Sequence, residues 1–273
     1  MSSETHFKGW LKPGLVPPGA RTPIEVPDDE TLDAISGHFR IFQLRKGHRF
    51  STDDVLTAWY GTAWAPSAGR VLDLGSGIGS VGMIAAWRLP GARFVTVEAQ
   101  EESVRLARRS AAYNGLQGRY DTRHADFRDA YALAPDERFD LVLASPPYFA
   151  LDAGIEGDHP QKVACRFELR GDVGDYARVA AEHLQPGGFF ACVYPEERRE
   201  SLESAVHSAG FTVVRRRPVI FREGEPPLVA LFGMMRAADL PAPPEFRRIE
   251  LDHSVCADFR LCHFSPRQLS VIS

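Results

Sequence analysis

Long apolar runs are the first thing this sequence lacks. No stretch approaches the roughly 18 residues that a membrane-spanning helix needs, and Met1–Trp10 has no apolar signal-peptide core. Cysteine is scarce as well. Cys165, Cys192, Cys256 and Cys262 form no C-x-x-C pair, which removes the usual signatures of a zinc site or a disulfide framework. A reducing cytoplasm is therefore expected, with no metal and no membrane partner. No internal repeat is visible, and positive charge is not in excess: at −4 the chain is no generic nucleic-acid coat. Local basic patches remain, because charges are screened beyond roughly 8–10 Å and the neighbourhood decides. His38–Arg49 carries Arg40, Arg45, Lys46 and Arg49 without an acid, and Val213–Arg222 carries Arg215, Arg216, Arg217 and Arg222 without one. Either could also be an ordinary solvated face.

What is present is a globular composition, 44% apolar and 25% charged over 273 residues, enough for a sizeable core. Residues 1–30 are rich in Pro and Gly and read as an irregular arm. From about Thr31 to residue 236 the pattern predicts one α/β domain, and 237–273 a further extension without an assigned role. A helix is expected over Thr52–Ala65, stopped by Pro66. Strands follow at Arg70–Leu74, Arg93–Glu98, around Tyr120–His124, Phe139–Ala144 and Gly188–Tyr194. The helices between and after them are Val81–Leu89, Glu101–Asn114, Val173–Leu184 and Glu196–Ala209. Alternation of this kind predicts a parallel sheet covered by helices on both faces. The last strands, Thr212–Val219 and Leu228–Met235, are about eight residues apart, too close for a parallel crossover, so they should pair antiparallel. The expected fold is a Rossmann-like seven-stranded mixed sheet, six strands parallel and the last reversed.

The first of these strands runs into VLDLGSGIGS. Glycines there let the backbone turn sharply against a ligand. The dinucleotide spacing Gly77-Gly79-Gly82 is met, but that match alone is weak. Asp73-x-Gly75-x-Gly77-x-Gly79 describes the loop better, with Ser76 inside it. A carboxylate ahead of the glycines would repel a pyrophosphate and suits an amino-acid ammonium. Glu98, 25 residues on and followed by Ala99, can accept from both hydroxyls of a ribose. Asp126 can accept from an adenine amino group, with Phe127 flanking the ring. Each acid alone reads as a helix cap or a solvated loop residue; after three successive strands they read as a site for S-adenosylmethionine (SAM). Over Arg70–Met235 the chain resembles the class I SAM-dependent methyltransferases, whose seventh strand is the antiparallel one and whose fifth is often approached by LQPGG, here Leu184–Gly188.

The fourth strand delivers Ser145-Pro146-Pro147-Tyr148 to the carboxyl edge of the sheet. This resembles the (Asn/Asp/Ser)-Pro-Pro-aromatic motif of methyltransferases that act on planar nitrogens. Such a nitrogen is a poor nucleophile because its lone pair is delocalised, so catalysis can consist of placement. The resemblance implies that the Pro146 carbonyl and the Ser145 side chain accept the two N–H bonds, that Pro147 stiffens the turn, and that Tyr148 stacks on the substrate. Serine departs from the usual Asn or Asp of adenine-directed members.

Ahead of the glycine loop, Gln43, Lys46, Gly47, His48, Arg49, Phe50, Ser51 and Asp53 resemble the opening of the bacterial enzymes that methylate N6 of the adenine next to the anticodon of a valine tRNA; His48 stands where tyrosine is usual. Arg166 and Glu168 match the same family's Arg-x-Glu element. The resemblance implies that Phe50, Ser51 and Asp53 lie over the SAM pocket as a lid. It makes Arg45, Lys46, Arg49, Arg215, Arg216, Arg217 and Arg166, joined by Lys162 and Arg170, contacts to RNA phosphates. Adenine N6 in tRNA is the substrate implied. A glutamine amide of a protein, a small molecule, and a non-catalytic RNA-binding subunit of the same fold are the alternatives. A monomer is expected, with a dimer left open.

Overall fold

The computed structural model describes residues 25–148, 161 and 171–241, together with the backbone of 6–7 and 10–11. The latter form a short antiparallel pair, β1 (His6–Phe7) and β2 (Trp10–Leu11). A second antiparallel hairpin follows, β3 (Glu30–Ser36) and β4 (Phe39–Leu44), which the sequence reading left without an element. Its turn passes through Gly37 at φ +50°, where an added Cβ would lie 2.3 Å from the Trp87 ring.

After the hairpin come α1 (Thr52–Trp64), β5 (Arg70–Leu74), α2 (Ser80–Arg88), β6 (Arg93–Glu98), α3 (Glu101–Tyr113), β7 (Tyr120–His124) and β8 (Phe139–Ala144). Beyond residue 171 the chain forms α4 (Val173–His183), β9 (Leu184–Pro195), α5 (Arg199–Ser208), β10 (Phe211–Val219) and β11 (Val229–Arg236). The large sheet has the order β10-β11-β9-β8-β5-β6-β7. β5 to β9 are mutually parallel, β11 is antiparallel to both its neighbours, and β10 thereby runs with the other five. Six strands one way and one reversed is the expected arrangement.

Two boundaries differ from expectation by more than a residue. β9 starts at Leu184 rather than Gly188, because Leu184 already pairs with Phe139 before the register shifts. Glu196–Arg198 is a 3-10 turn and the helix proper starts at Arg199, since Glu196 is tied by its N–H to the Leu228 carbonyl.

Apolar side chains fill both faces of the sheet. Leu72, Val142, Phe190 and Phe232 point toward α4 and α5, whereas Val71, Leu141, Leu143 and Leu231 point toward α1 and α2. That alternation within one strand is why its residues read as a continuous apolar run. The hairpin lies on α3. Asn114 accepts from the Arg40 N–H (2.8 Å) and donates to its carbonyl (2.7 Å), and the Phe42 N–H reaches Ser110. The carboxylate of Glu30, 1% exposed, is held by Arg105 at 2.7 Å and by Arg109. Among the described residues no helix is long and apolar enough to cross a membrane, and no group of His, Cys, Asp and Glu could hold a metal ion.

Candidate active site

The carboxyl ends of β5, β6 and β8 converge on a cavity of about 460 Å³, within the usual range for a small-molecule pocket. Its lining includes Asp73, Gly75, Ser76, Gly77, Glu98, Ala99, Asp126 and Phe127, and on the other side Ser145, Pro146, Pro147 and Tyr148. The glycine loop and the Ser-Pro-Pro-Tyr turn, 70 residues apart in sequence, thus face one space.

At the glycine loop the backbone carries the geometry. Gly75, Gly77 and Gly79 take φ of +61°, +55° and +85°; Gly79 is the N-cap of α2 and is not part of the cavity wall. The Gly77 N–H donates to Glu98 Oε2 at 2.9 Å, while Oε1 accepts from the Gln100 N–H at 2.7 Å. Asp73 is 1% exposed and accepts from the Gly82 N–H at 2.9 Å. Burial first, then the charges of Asp54 and Glu98, push its carboxyl well above the ordinary range, against the pull of that N–H. Asp126 is engaged by Arg128 at 2.7 Å, and Phe127 packs against Tyr176, ring centroids 4.5 Å apart.

The wall accords with an amino-acid-bearing, cationic ligand. The hydroxyl oxygen of Ser76 is buried in the loop without a hydrogen-bond partner, and a Cβ on Gly77 would meet open space within 4 Å. Both leave room and bonding capacity where a ligand would lie. Five carboxylates around one cavity favour positive charge.

The residues expected to lie over the pocket divide. Ser51 and Asp53 line the cavity, but Phe50 does not: it packs into the cluster of Ile41, Phe42, Leu44, Ile78 and Leu106, and its N–H is held by Gln43 at 2.8 Å. His48 and Asp54 line the cavity in its stead. Asp54 is the third residue of α1 and accepts from the Ser51 N–H and the Ser80 hydroxyl, both at 3.0 Å. Burial pushes its carboxyl up to about 6, those two bonds opposing and the charge of Asp53 adding. Its position three residues after Ser51 completes a capping box, so the local pattern gives no sign of its place in the wall. Tyr176, from α4, was also missed; nothing nearby in sequence ties it to the loop.

Tyr148 is held from three sides. Its hydroxyl donates to Asp53 at 2.8 Å, its carbonyl accepts from Arg198, and its ring stands edge-on to Tyr194 at 6.3 Å. Burial, then the nearby charge of Asp53, raises its phenol, and burial raises Asp53 against that same hydrogen bond. Gln161 reaches across the lid, accepting from the His48 N–H at 2.9 Å and donating to Ser103 at 3.0 Å.

The basic residues divide. Arg45, which donates to the Asp28 carbonyl at 2.7 Å, and Lys46 are exposed. Arg49 is paired with Asp33 at 2.7 Å, so it braces the hairpin; the acid it meets lies outside the stretch that looked acid-free. Arg216 is a correction. Strand alternation turns it away from Arg215 and Arg217, and at 6% exposure it pairs with Glu196, so it offers no charge to a surface ligand. Lys162, Arg166, Glu168 and Arg170 lie outside the described residues.

Comparison with known proteins agrees with this geometry. Residues 57–166 match the methyltransferase small domain. The tRNA1(Val) (adenine(37)-N6)-methyltransferase of Escherichia coli O157:H7 is 30% identical over 182 residues, covering 66% of this chain and 71% of that one. TrmN from Thermus thermophilus superposes with a TM-score of 0.50 at 26% identity, over 67% of this chain and 48% of that one. A predicted O-methyltransferase from Agrobacterium tumefaciens gives 0.53 at 24% identity, over 68% and 81%, and shares the fold. The chain is a SAM-dependent methyltransferase and belongs to the family of the tRNA1(Val) adenine-N6 methyltransferases.

Proposed function

We propose that this enzyme methylates N6 of an adenine in tRNA, within the cytoplasm where that RNA is found. The observation that carries the reading is the single cavity shared by the glycine loop and the Ser145–Tyr148 turn. S-adenosylmethionine supplies a methyl group on a positively charged sulfur, an electrophile that needs no activation by the protein. Asp73, Ser76 and the Gly77 backbone would hold its amino-acid end, Glu98 its ribose, and Asp126 with Phe127 its adenine.

The protein's own task is then to place the nitrogen. Pro146 and Pro147 donate no N–H, so the turn presents acceptors only. The Pro146 carbonyl and the Ser145 hydroxyl accept the two N–H bonds of the substrate amine, which turns the lone pair toward the methyl. Tyr148, fixed through Asp53 and Arg198, gives the base a plane to rest on, a contact of roughly 1–3 kcal/mol for a nucleobase. The base has to leave its stack, which costs least in a single-stranded loop. Arg45 and Lys46, beside the lid, would meet phosphate.

Tritiated SAM incubated with total RNA from cells lacking this protein, beside a protein extract of the same cells, tests the reading. Label is expected in RNA and, after digestion, in N6-methyladenosine. Label that survives RNase and follows protein would instead establish the amide substrate.

A further inference from the structure

Arg215 and Arg217 do not project as isolated surface charges. Each is laid on a tryptophan of α1: the guanidinium carbon of Arg217 is 5.1 Å from the Trp59 ring centroid, and that of Arg215 is 3.4 Å from the Trp64 centroid. Trp64 is 41% exposed, unusual for so large an apolar ring. We infer that these two arginine–tryptophan pairs form a track along which the RNA strand flanking the target adenine runs away from the cavity. The inference rests on the RNA reading above.

Three observations converge on it. The first is continuity. α1 and its N-cap contribute Ser51, Asp53 and Asp54 to the cavity wall; at about 1.5 Å per residue, Trp59 lies about 9 Å and Trp64 about 16 Å further along the same helix. The pairs are thus met in order by a strand leaving the site, at distances of one to a few nucleotides.

The second is spacing. Arg215 and Arg217 are alternate residues of β10, opposite Gly233 and Leu231 of β11, so they share a face and stand about 6.6 Å apart. Arg216 between them is turned to Glu196 and leaves that face. The third is charge. Arg215 and Arg217 bring two guanidinium groups against a stretch of α1 that carries no acid after Asp54. Stacking on an indole fixes the plane of a guanidinium. That suits a phosphate contact and gives a flanking base an aromatic neighbour.

The test is RNA affinity as a function of salt, measured by fluorescence anisotropy of a labelled anticodon stem-loop, with SAM affinity by calorimetry as the control for folding. Arg215→Gln with Arg217→Gln should lower the slope of log affinity against log salt by about 1.4, two single-strand phosphate contacts. It should weaken binding at least fivefold and leave SAM affinity unchanged. Arg215→Lys with Arg217→Lys keeps the charge and loses the planar stack, so the slope should hold while affinity falls. Binding should also quench the tryptophan emission of the wild type, and less so in Trp64→Leu. An unchanged slope and affinity in the Gln variant, with the wild type still methylating RNA, would overturn the track and leave the enzymatic reading intact. Absence of methylation of any RNA by the wild type would overturn both.

Discussion

Asp54 puts the electrostatics of the cavity in its simplest form. An ionised carboxylate buried without a cation is disfavoured, which is why its group titrates near 6 rather than at the ordinary 3.8. In the ligand-free protein this raised value means that stability is lost as pH rises toward 6, because the unfolded chain releases the proton first. A cationic ligand reverses the preference and draws the proton off. SAM affinity should therefore weaken severalfold from about pH 7 to about pH 5, and binding near pH 6 should release a proton. Calorimetry in two buffers of different ionisation enthalpy measures both. Asp54→Asn should flatten the pH dependence; a variant that keeps it would assign the proton to Asp53 or Asp73. Ser145 is the second residue to test. With Ser145→Ala, kcat should fall by about 10-fold or more if its hydroxyl accepts a substrate N–H in the transition state, with SAM affinity unchanged. Unaltered kcat would leave placement to the Pro146 carbonyl and Tyr148.

At the scale of elements, the hairpin and α3 are held by a buried carboxylate. Glu30→Gln removes the charge that Arg105 and Arg109 share. It should cost about 1–3 kcal/mol in urea unfolding, since a charged hydrogen bond is lost in a buried place. Gly37→Ala should cost a similar amount, from a backbone held at φ +50° and a Cβ against Trp87. A smaller loss in either would mean that the hairpin is docked by its apolar face alone.

Most strands of the central sheet were legible as short apolar runs closed by a turn, and the polar β7, Tyr-Asp-Thr-Arg-His, by its place between α3 and β8. β5, β6, β7 and β8 fall on their expected residues. The hairpin was harder, for β3 reads Glu-Thr-Leu-Asp-Ala-Ile-Ser and buries its acid; the signal was Gly37-His38 between two alternating runs. Of the cavity lining, the loop residues and the Ser-Pro-Pro-Tyr turn were legible because local backbone geometry sets their place. Asp54, His48 and Tyr176 were not, because only the packing of α1, the lid and α4 over the sheet brings them to the cavity. The ion pairs of Arg49 and Arg216 were hidden for the same reason. Their partners, Asp33 and Glu196, are remote from the basic runs in which the arginines sit.

In the proposed arrangement the molecule separates cofactor and polymer by charge. The cavity gathers carboxylates while the face of α1 and β10 gathers guanidinium groups, so the net charge of the chain predicts neither. Ligand binding should be felt globally as well. SAM at about 100 times its Kd should add about 2.7 kcal/mol to unfolding and raise Tm by several degrees in a chain of this size. A Tm that ignores SAM would contradict a preformed site.

The place of β11 has a further consequence. It is the last strand of the sheet to be made, yet it sits inside, between β9 and β10. During synthesis β9 presents an open edge, and β10 has no neighbour in the sheet until Val229–Arg236 leaves the ribosome. Closure of the sheet therefore waits for the last of its strands in chain order. A chain stopped before Val229 would carry the glycine loop and the Ser-Pro-Pro-Tyr turn intact in sequence, with an exposed strand edge available for aggregation.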